Sequence, residues 1–280
     1  SDRLSNGEIL FSANFIALYT TDGDNITDVF DFRTIDEELI SIWGFTQTSE
    51  YDLVFVDANN HCLRLYNRMP GTINKFAGSC DYRYPGFRDG TDALFYIPMT
   101  VIQDNQDHCL LYVIDYDNNA LRMVTKSHIP HVTTLIKNDH KKYVGVTQDP
   151  EGRYLYITYT EGLERYDLRT NTSIDIVSKS TRYNNNALMY DGAVKHFIGI
   201  ILLTNLVIFA DDQRHLLFTV DLTTNTISTI CTGVAGHRSG NASLCQLNWP
   251  RTLVELNGDI YIGEQGQIIM LRGKTLCSSL

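Results

Sequence analysis

The chain has 280 residues, 43% of them hydrophobic and 11% aromatic, with 33 acidic against 23 basic side chains and a net charge of −10. A chain this long buries ample core without needing cross-links to fold, and its composition excludes global disorder. The acidic balance, with no basic stripe beyond Lys141-Lys142 beside His140, argues against nucleic acid as a partner. The longest apolar stretch, Phe197 to Ala210, is broken by Thr204 and Asn205. It falls short of the ~18 apolar residues a spanning helix needs and reads as two buried strands, so no direct membrane insertion is expected.

In chain order, the first predicted strands are Ile9 to Ala13 and Phe15 to Tyr19. A stronger unit follows: the apolar run Leu53 to Val56 ends in Asp57, an Asn-rich turn comes next, and Leu63-Arg64 opens the following strand. The pattern returns as Leu111 to Asp115, Asn118-Asn119 and Leu121-Arg122. Asp and Arg stand seven residues apart in both copies. In this third unit four strands are expected, at Met99 to Gln103, Leu110 to Asp115, Ala120 to Thr125 and Val132 to Lys137. Weaker copies are Tyr154 to Thr158 with Arg165 seven residues on, Leu206 to Asp211 with Leu216 to Val220, and Asp259 to Glu264 with Gln267 to Leu271.

Taking Ala13, Asp57, Asp115, Thr158, Asp211 and Glu264 as equivalent positions gives spacings of 44, 58, 43, 53 and 53. Repeats of that length are propeller blades or solenoid units. The units are rich in Val, Ile, Tyr, Phe and Thr and are separated by turn pairs such as Asp22-Gly23, Pro70-Gly71 and Asn257-Gly258. No sustained 3.6-residue apolar period competes with this pattern. The expectation is an all-β chain forming a single domain over residues 1–280, a six-bladed β-propeller of four-stranded antiparallel blades. The first unit is expected to lack its innermost strand, and the two termini to complete one shared blade.

Gly86-Phe87-Arg88-Asp89-Gly90, Ala93-Leu94-Phe95, Pro98, Tyr112-Val113, Asp115, Asn118-Asn119 and Leu121-Arg122 follow one another in order. This series resembles the NHL repeat, whose pattern runs from a Gly-rich loop and Asp-Gly through a strand to Asp-x-x-Asn-x-x-Ile/Leu-Arg. The sixth unit echoes the first half with Gly236, Gly240, Ala242, Leu244 and Trp249-Pro250, and the fifth keeps Asp191-Gly192. The resemblance implies a six-bladed propeller of NHL type. The repeated Asp–Arg pairs are expected to hold turns together rather than to catalyse, since a catalytic site needs its groups once.

Six cysteines occur and none forms a C-x-x-C pair. Cys62 and Cys80 flank a hairpin turning at Met69 to Thr72, which brings them to bridging distance. Cys231 and Cys245 bracket the Gly-rich loop Gly233 to Gly240, and Cys109 and Cys277 remain. Asn25, Asn171 and Asn241 begin N-x-Ser/Thr sequons in polar turns. Together these features place the chain in a secreted or cell-surface setting as a disulfide-tied glycoprotein.

No cofactor is expected, and no metal. A propeller similar to this family, a peptide-amidating lyase, holds zinc through His residues around the central channel, but of eight histidines only His196 falls at the start of an innermost strand. The favoured binding surface is the loop Cys80 to Arg88, with Tyr82, Arg83, Tyr84, Phe87 and Arg88, residue types enriched at interface hot spots. Its aromatic rings could equally pack as a structural lid. Equivalent loops are Lys179 to Asp191, with Arg182 and Tyr183, and Gly233 to Trp249. The sequence therefore reads as an extracellular interaction domain, a receptor-like module for a protein or glycan ligand. The alternatives are a metal-dependent lyase or lactonase-like hydrolase with a channel site, and an RNA-binding propeller.

Overall fold

The computed structural model describes residues 41–49, 52–67, 69–178, 198–238, 244–256, 258–264 and 267–271 in full, together with residue 181 and the backbone of six strands elsewhere. Those strands are β1 (Asp2–Arg3), β2 (Ile9–Ala13), β3 (Ala17–Thr21), β4 (Ile26–Asp31), β17 (Arg182–Tyr183) and β18 (Ala187–Leu188). The chain folds as two compact units, residues 1–146 with 150–152, and residues 147–149 with 153–280.

The first unit holds the sheet β1–β4 and two fully described blades. One blade comprises β5 (Ile42–Gln47), β6 (Asp52–Asp57), β7 (Cys62–Asn67) and β8 (Thr72–Gly78). The next comprises β9 (Pro98–Gln103), β10 (Leu110–Asp115), β11 (Ala120–Thr125) and β12 (Val132–Lys137), with the strands placed as the repeat predicts. A blade is covered on both faces, so its second strand is apolar throughout rather than alternating. Leu53 to Val56 and Leu111 to Ile114 are all buried. Val54, Val56 and Leu63 pack with Val101, Leu111, Val113 and Val124, and Ala93 and Phe95 fill the seam from the connecting loop. The outer strand β8 carries exposed polar residues such as Asn74 and Lys75, which blunts a free sheet edge.

The second unit contains β14 (Tyr154–Tyr159), β15 (Gly162–Asp167) and β16 (Thr172–Val177), which continue from β13 (Tyr143–Gln148) at the boundary of the units. It also contains β19 (Ile200–Leu203), β20 (Leu206–Asp211), β21 (Leu216–Asp221) and β22 (Thr226–Ile230), then β23 (Thr252–Leu256), β24 (Asp259–Glu264) and β25 (Gln267–Leu271). The hairpin β17–β18 lies within the loop expected between the fourth and fifth repeats.

All strand pairings are antiparallel, and the four-stranded sheets are the blades of a β-propeller. Among the described residues four-stranded blades number five, not the expected six. The sixth repeat forms a three-stranded sheet, because among the described residues nothing pairs with the outer side of β25. The first repeat also departs from expectation. The short strand β1 pairs with β2 through Asp2 and Leu10, so that sheet has its own first strand and is not completed by the far terminus among the described residues. In the fourth repeat the strand-end position is Tyr159, which pairs with Gly162. A two-residue turn there replaces the four-residue turns after Asp57 and Asp115. Glu164, opposite Ile157, therefore stands where Arg122 stands opposite Val113, and Arg165 does not.

Candidate functional site

The candidate site is built on the turn between β10 and β11 and on its copy between β6 and β7. Asp115 ends its strand with a buried carboxylate. One oxygen accepts the Tyr96 N–H at 2.8 Å, and the other accepts Asn118 Nδ2 at 2.8 Å and an Arg122 guanidinium nitrogen at 2.6 Å. Asp57 repeats the pattern with the Ser41 N–H at 3.1 Å, Asn60 at 2.9 Å and Arg64 Nε at 2.7 Å. The backbone donor comes from the segment entering the innermost strand, not from the turn itself as the sequence suggested. Burial pushes the Asp115 carboxyl up to about 6, while the Tyr96 N–H, Asn118 and Arg122 pull it back. The Asp–Arg pair is thus a scaffold whose ionised form is held by donors against desolvation.

Arg122 reaches onward into the loop ahead of β9. Its guanidinium donates to the Arg88 carbonyl at 2.8 Å, to the Leu94 carbonyl at 3.3 Å and to Asp89 at 2.7 Å. The Phe87 and Phe95 rings cover it at 4.7 and 5.2 Å. Asp89, held low by Thr134 and Arg122 against its partial burial, also accepts both the N–H and the hydroxyl of Thr134. Asn118 Nδ2 donates to the Gly86 carbonyl at 2.7 Å, and the Gly86 N–H reaches the Phe95 carbonyl at 3.0 Å.

These anchors support one end of the loop 80–88; a disulfide supports the other. Cys62 and Cys80 are bonded with Cα atoms 5.0 Å apart. Gly78 makes this possible: its φ of +97° turns the chain out of β8, and a Cβ there would lie 2.7 Å from the His61 carbonyl oxygen. Between the anchors the chain forms a tight turn, with the Tyr84 N–H on the Asp81 carbonyl at 3.0 Å. Asp81 receives Arg83 through Nε at 3.0 Å and a terminal nitrogen at 2.7 Å, and that side-chain hydrogen bonding holds its carboxyl down at about 2. The Arg83 guanidinium lies between the Tyr82 and Tyr84 rings, 5.9 and 5.6 Å from their centroids.

The five loop residues singled out from the sequence therefore separate. Tyr82 and Tyr84 are 69% and 59% exposed, and together with Arg83 they form a tip facing solvent. Phe87, 43% exposed, is a cover over Arg122, with Lys137 on the ring at 5.3 Å. Arg88 exchanges backbone hydrogen bonds with Leu94, and its Nε donates to the Asp92 carbonyl at 2.7 Å. Arg182 and Tyr183 lie on β17, but their side chains fall outside the described residues, as do Asn25, Asn241, His196 and Cys277. Cys231 and Cys245 are bonded with Cα atoms 4.6 Å apart, and Cys109 is exposed and has no disulfide partner among the described residues. Asn171 occupies an exposed turn with φ of +54°, its side-chain oxygen accepting the Tyr166 hydroxyl at 3.1 Å.

Two histidines outside the expected binding loops also hold backbone in place. His61 Nδ1 accepts the Ile97 N–H at 3.2 Å while its Nε2 faces the Tyr82 carbonyl at 3.2 Å. In the second unit His215 Nδ1 accepts the Trp249 N–H at 3.2 Å. Each histidine stands four residues after its strand-end Asp, the position Asn119 takes after Asp115, and all three have left-handed φ near +50 to +56°. That common offset was the available signal. In the sixth repeat Ile269 holds the arginine position, and a histidine from the loop ahead of β23 partners the strand-end carboxylate instead. His237 Nδ1 lies 3.0 Å from the buried carboxylate of Glu264, which also accepts the Asn248 N–H at 2.8 Å. This carboxylate-oriented, half-exposed imidazole could accept or deliver a proton. Among the described residues no group of three His, Cys, Asp or Glu is placed to hold a metal ion, and no helix is long and apolar enough to cross a membrane.

No family model matches the chain, and no curated protein does. Solved structures do. A structure of a nidogen/laminin complex aligns with a TM-score of 0.66 at 10% identity, covering 95% of this chain and 89% of that one. Virginiamycin B lyase from Staphylococcus aureus aligns at 0.62 and 14%, covering 96% and 77%. An auxiliary nutrient binding protein from Bacteroides thetaiotaomicron aligns at 0.67 and 12%, covering 93% of this chain but only 64% of that one. At such identities the likeness is one of fold, and the fold serves both binding and catalysis in these proteins.

Proposed function

We propose that this chain is an extracellular interaction domain, a propeller of NHL type over residues 1–280, that engages a protein or glycan partner through the Tyr82–Arg83–Tyr84 tip. The observation carrying this reading is the pairing of two well-exposed tyrosines around an exposed arginine on a loop fixed by a disulfide and by buried hydrogen bonds. Aromatic and Arg side chains give large contact area at low entropy cost, and prior rigidity spares the ordering cost of binding. The disulfides support a secreted or cell-surface setting, and the NHL assignment rests on the Gly86-to-Arg122 series. Arg182 and Tyr183 of the second unit are proposed as further contact residues in their own right. Glycan on Asn25, Asn171 and Asn241 is part of the same proposal; enzymatic deglycosylation of the protein secreted from eukaryotic cells should lower its mass.

The test is a screen of the secreted protein against arrayed glycans and extracellular proteins, repeated with the Tyr82→Ala/Tyr84→Ala variant. Loss of ~2 kcal/mol or more on a hit, at unchanged melting temperature, is expected of a hot-spot pair. Hits bound equally by the variant would remove the tip from the interface. A second reading, an enzyme of lyase or hydrolase type, is favoured by the His237–Glu264 pair alone. Turnover of virginiamycin B that disappears in His237→Asn would support it.

A further inference from the structure

We infer that His61 is a proton-operated latch on the aromatic tip, releasing the tip and the entry of the third blade on acidification. This regulation bears on ligand binding only if the tip is the binding surface, but the latch itself is a property of the fold. Its hydrogen bonds fix the state of the ring. A backbone N–H can only donate, so the nitrogen facing Ile97 must be bare; a carbonyl can only accept, so the nitrogen facing Tyr82 must carry the proton. The ring is therefore the neutral Nε2–H form, buried and edge-on to Tyr96 at 5.5 Å. It joins three pieces of chain: the turn after β6, the tip, and the segment entering β9.

A proton added at Nδ1 sets two donors against each other across 3.2 Å. What the latch holds is strained. Ile97 has φ of +46° directly before Pro98, a conformation that a β-branched residue preceding proline strongly disfavours. Losing the acceptor removes what fixes it there, and Ile97 relaxes away. Little in the surroundings favours the charged ring. The carboxylates whose charge reaches it are Asp57 on its own turn and Asp117 on the 3-10 turn Tyr116–Asn118. Both are already engaged, Asp57 by Arg64 and Asp117 by Lys142 at 2.5 Å. From the other packed segments Tyr96 offers its ring and Tyr82 its carbonyl. Burial accordingly holds His61 below the usual histidine range, with the Tyr82 carbonyl and the two carboxylates opposing it. The neutral latch is thus intact above the ordinary histidine pKa of ~6.5 and is lost as pH falls through the lower folded value.

The arrangement is built rather than incidental, because the second unit repeats it. His215 receives the N–H of Trp249, which has φ of +56°, precedes Pro250 and meets the imidazole edge-on at 5.9 Å. The third repeat carries Asn119 at the same offset, a residue that tolerates left-handed backbone and does not titrate. This makes His61→Asn the matched substitution.

The experiment is amide hydrogen exchange of the folded chain between about pH 7.5 and pH 5, corrected for intrinsic rates, with the imidazole nitrogens followed by NMR. The expected result is a rise of about fivefold in exchange at Ile97 and at Tyr82 to Tyr84, the equivalent of one net hydrogen bond. The rise should coincide with protonation of His61 and be absent from His61→Asn. A flat profile in the wild type, the same step in His61→Asn, or an imidazole that stays neutral across the range would overturn the latch. In the wild type alone, a step that does not track the His61 nitrogens would do so too. Exchange needs no ligand, so failure of the tip to bind anything would leave this outcome legible.

Discussion

Replacing Arg122 with methionine, similar in length but uncharged, tests the scaffold on which the tip stands. The guanidinium is fully buried and donates to Asp115, Asp89, the Arg88 carbonyl and the Leu94 carbonyl. Asp89 is 45% exposed and keeps both bonds from Thr134, so its loss is small. Asp115 is wholly buried and keeps only the Tyr96 N–H and Asn118. Breaking one side of a buried ion pair costs about 3–5 kcal/mol, and each orphaned carbonyl adds up to ~1 kcal/mol where water cannot replace the donor. A loss of about 4 kcal/mol is expected, read as a fall in the urea midpoint at unchanged slope. Asp115 already sits near 6 because of its burial, so in the variant it takes up a proton as pH falls. Without Arg122, one of the groups that pull it down, that carboxyl rises higher still, so the deficit is largest at high pH and shrinks as pH falls toward about 6, where the wild-type carboxyl protonates too. Adding Asp115→Asn removes the stranded charge, and the double variant should recover about 2 kcal/mol relative to the sum of the single changes. A loss under ~1 kcal/mol, or single changes that simply add, would refute the account of this pair.

Two further perturbations address the other end of the loop. Cys62→Ser with Cys80→Ser opens a bridge spanning 18 residues, and a loss of ~3 kcal/mol is expected from unfolding curves under matched conditions. Gly78→Ala would push a Cβ to within 2.7 Å of backbone at φ of +97°, whereas Gly71→Ala, at φ of +83°, meets open space. The first should cost more than the ~1 kcal/mol of left-handed strain that alone burdens the second, and thermal melts showing equal costs would disprove the close approach.

The second and third blades were legible because burial on both faces writes an unbroken apolar run, and the strand-end Asp marks where it stops. Legibility failed where a turn changed length. The short turn after Tyr159 shifted the fourth repeat by one residue and put Glu164, not Arg165, in the arginine position. It failed again at β1, whose two residues carry no pattern. Residue type pointed to Tyr82, Arg83 and Tyr84, but only geometry separates them from Phe87, whose ring belongs to Arg122. The histidine latches were hidden for a different reason. Their partners are backbone N–H groups 36 and 34 residues away, and a backbone partner leaves no residue type to notice.

The anchoring of the tip is uneven in kind. On the side of β7 and β8 it is covalent, through Cys62 and Cys80; on the side of β9 and β11 it consists of hydrogen bonds from Asn118, Arg122 and the Gly86 amide. A partner pulling on the tip would load both sides at once, and only one of them can yield. Under tension the chain should peel from Gly86 toward Pro98 while residues 62–80 stay closed, giving a short fixed extension before the blade itself gives way. Single-molecule pulling through Tyr84 would show that step, and reducing the disulfide would lengthen it.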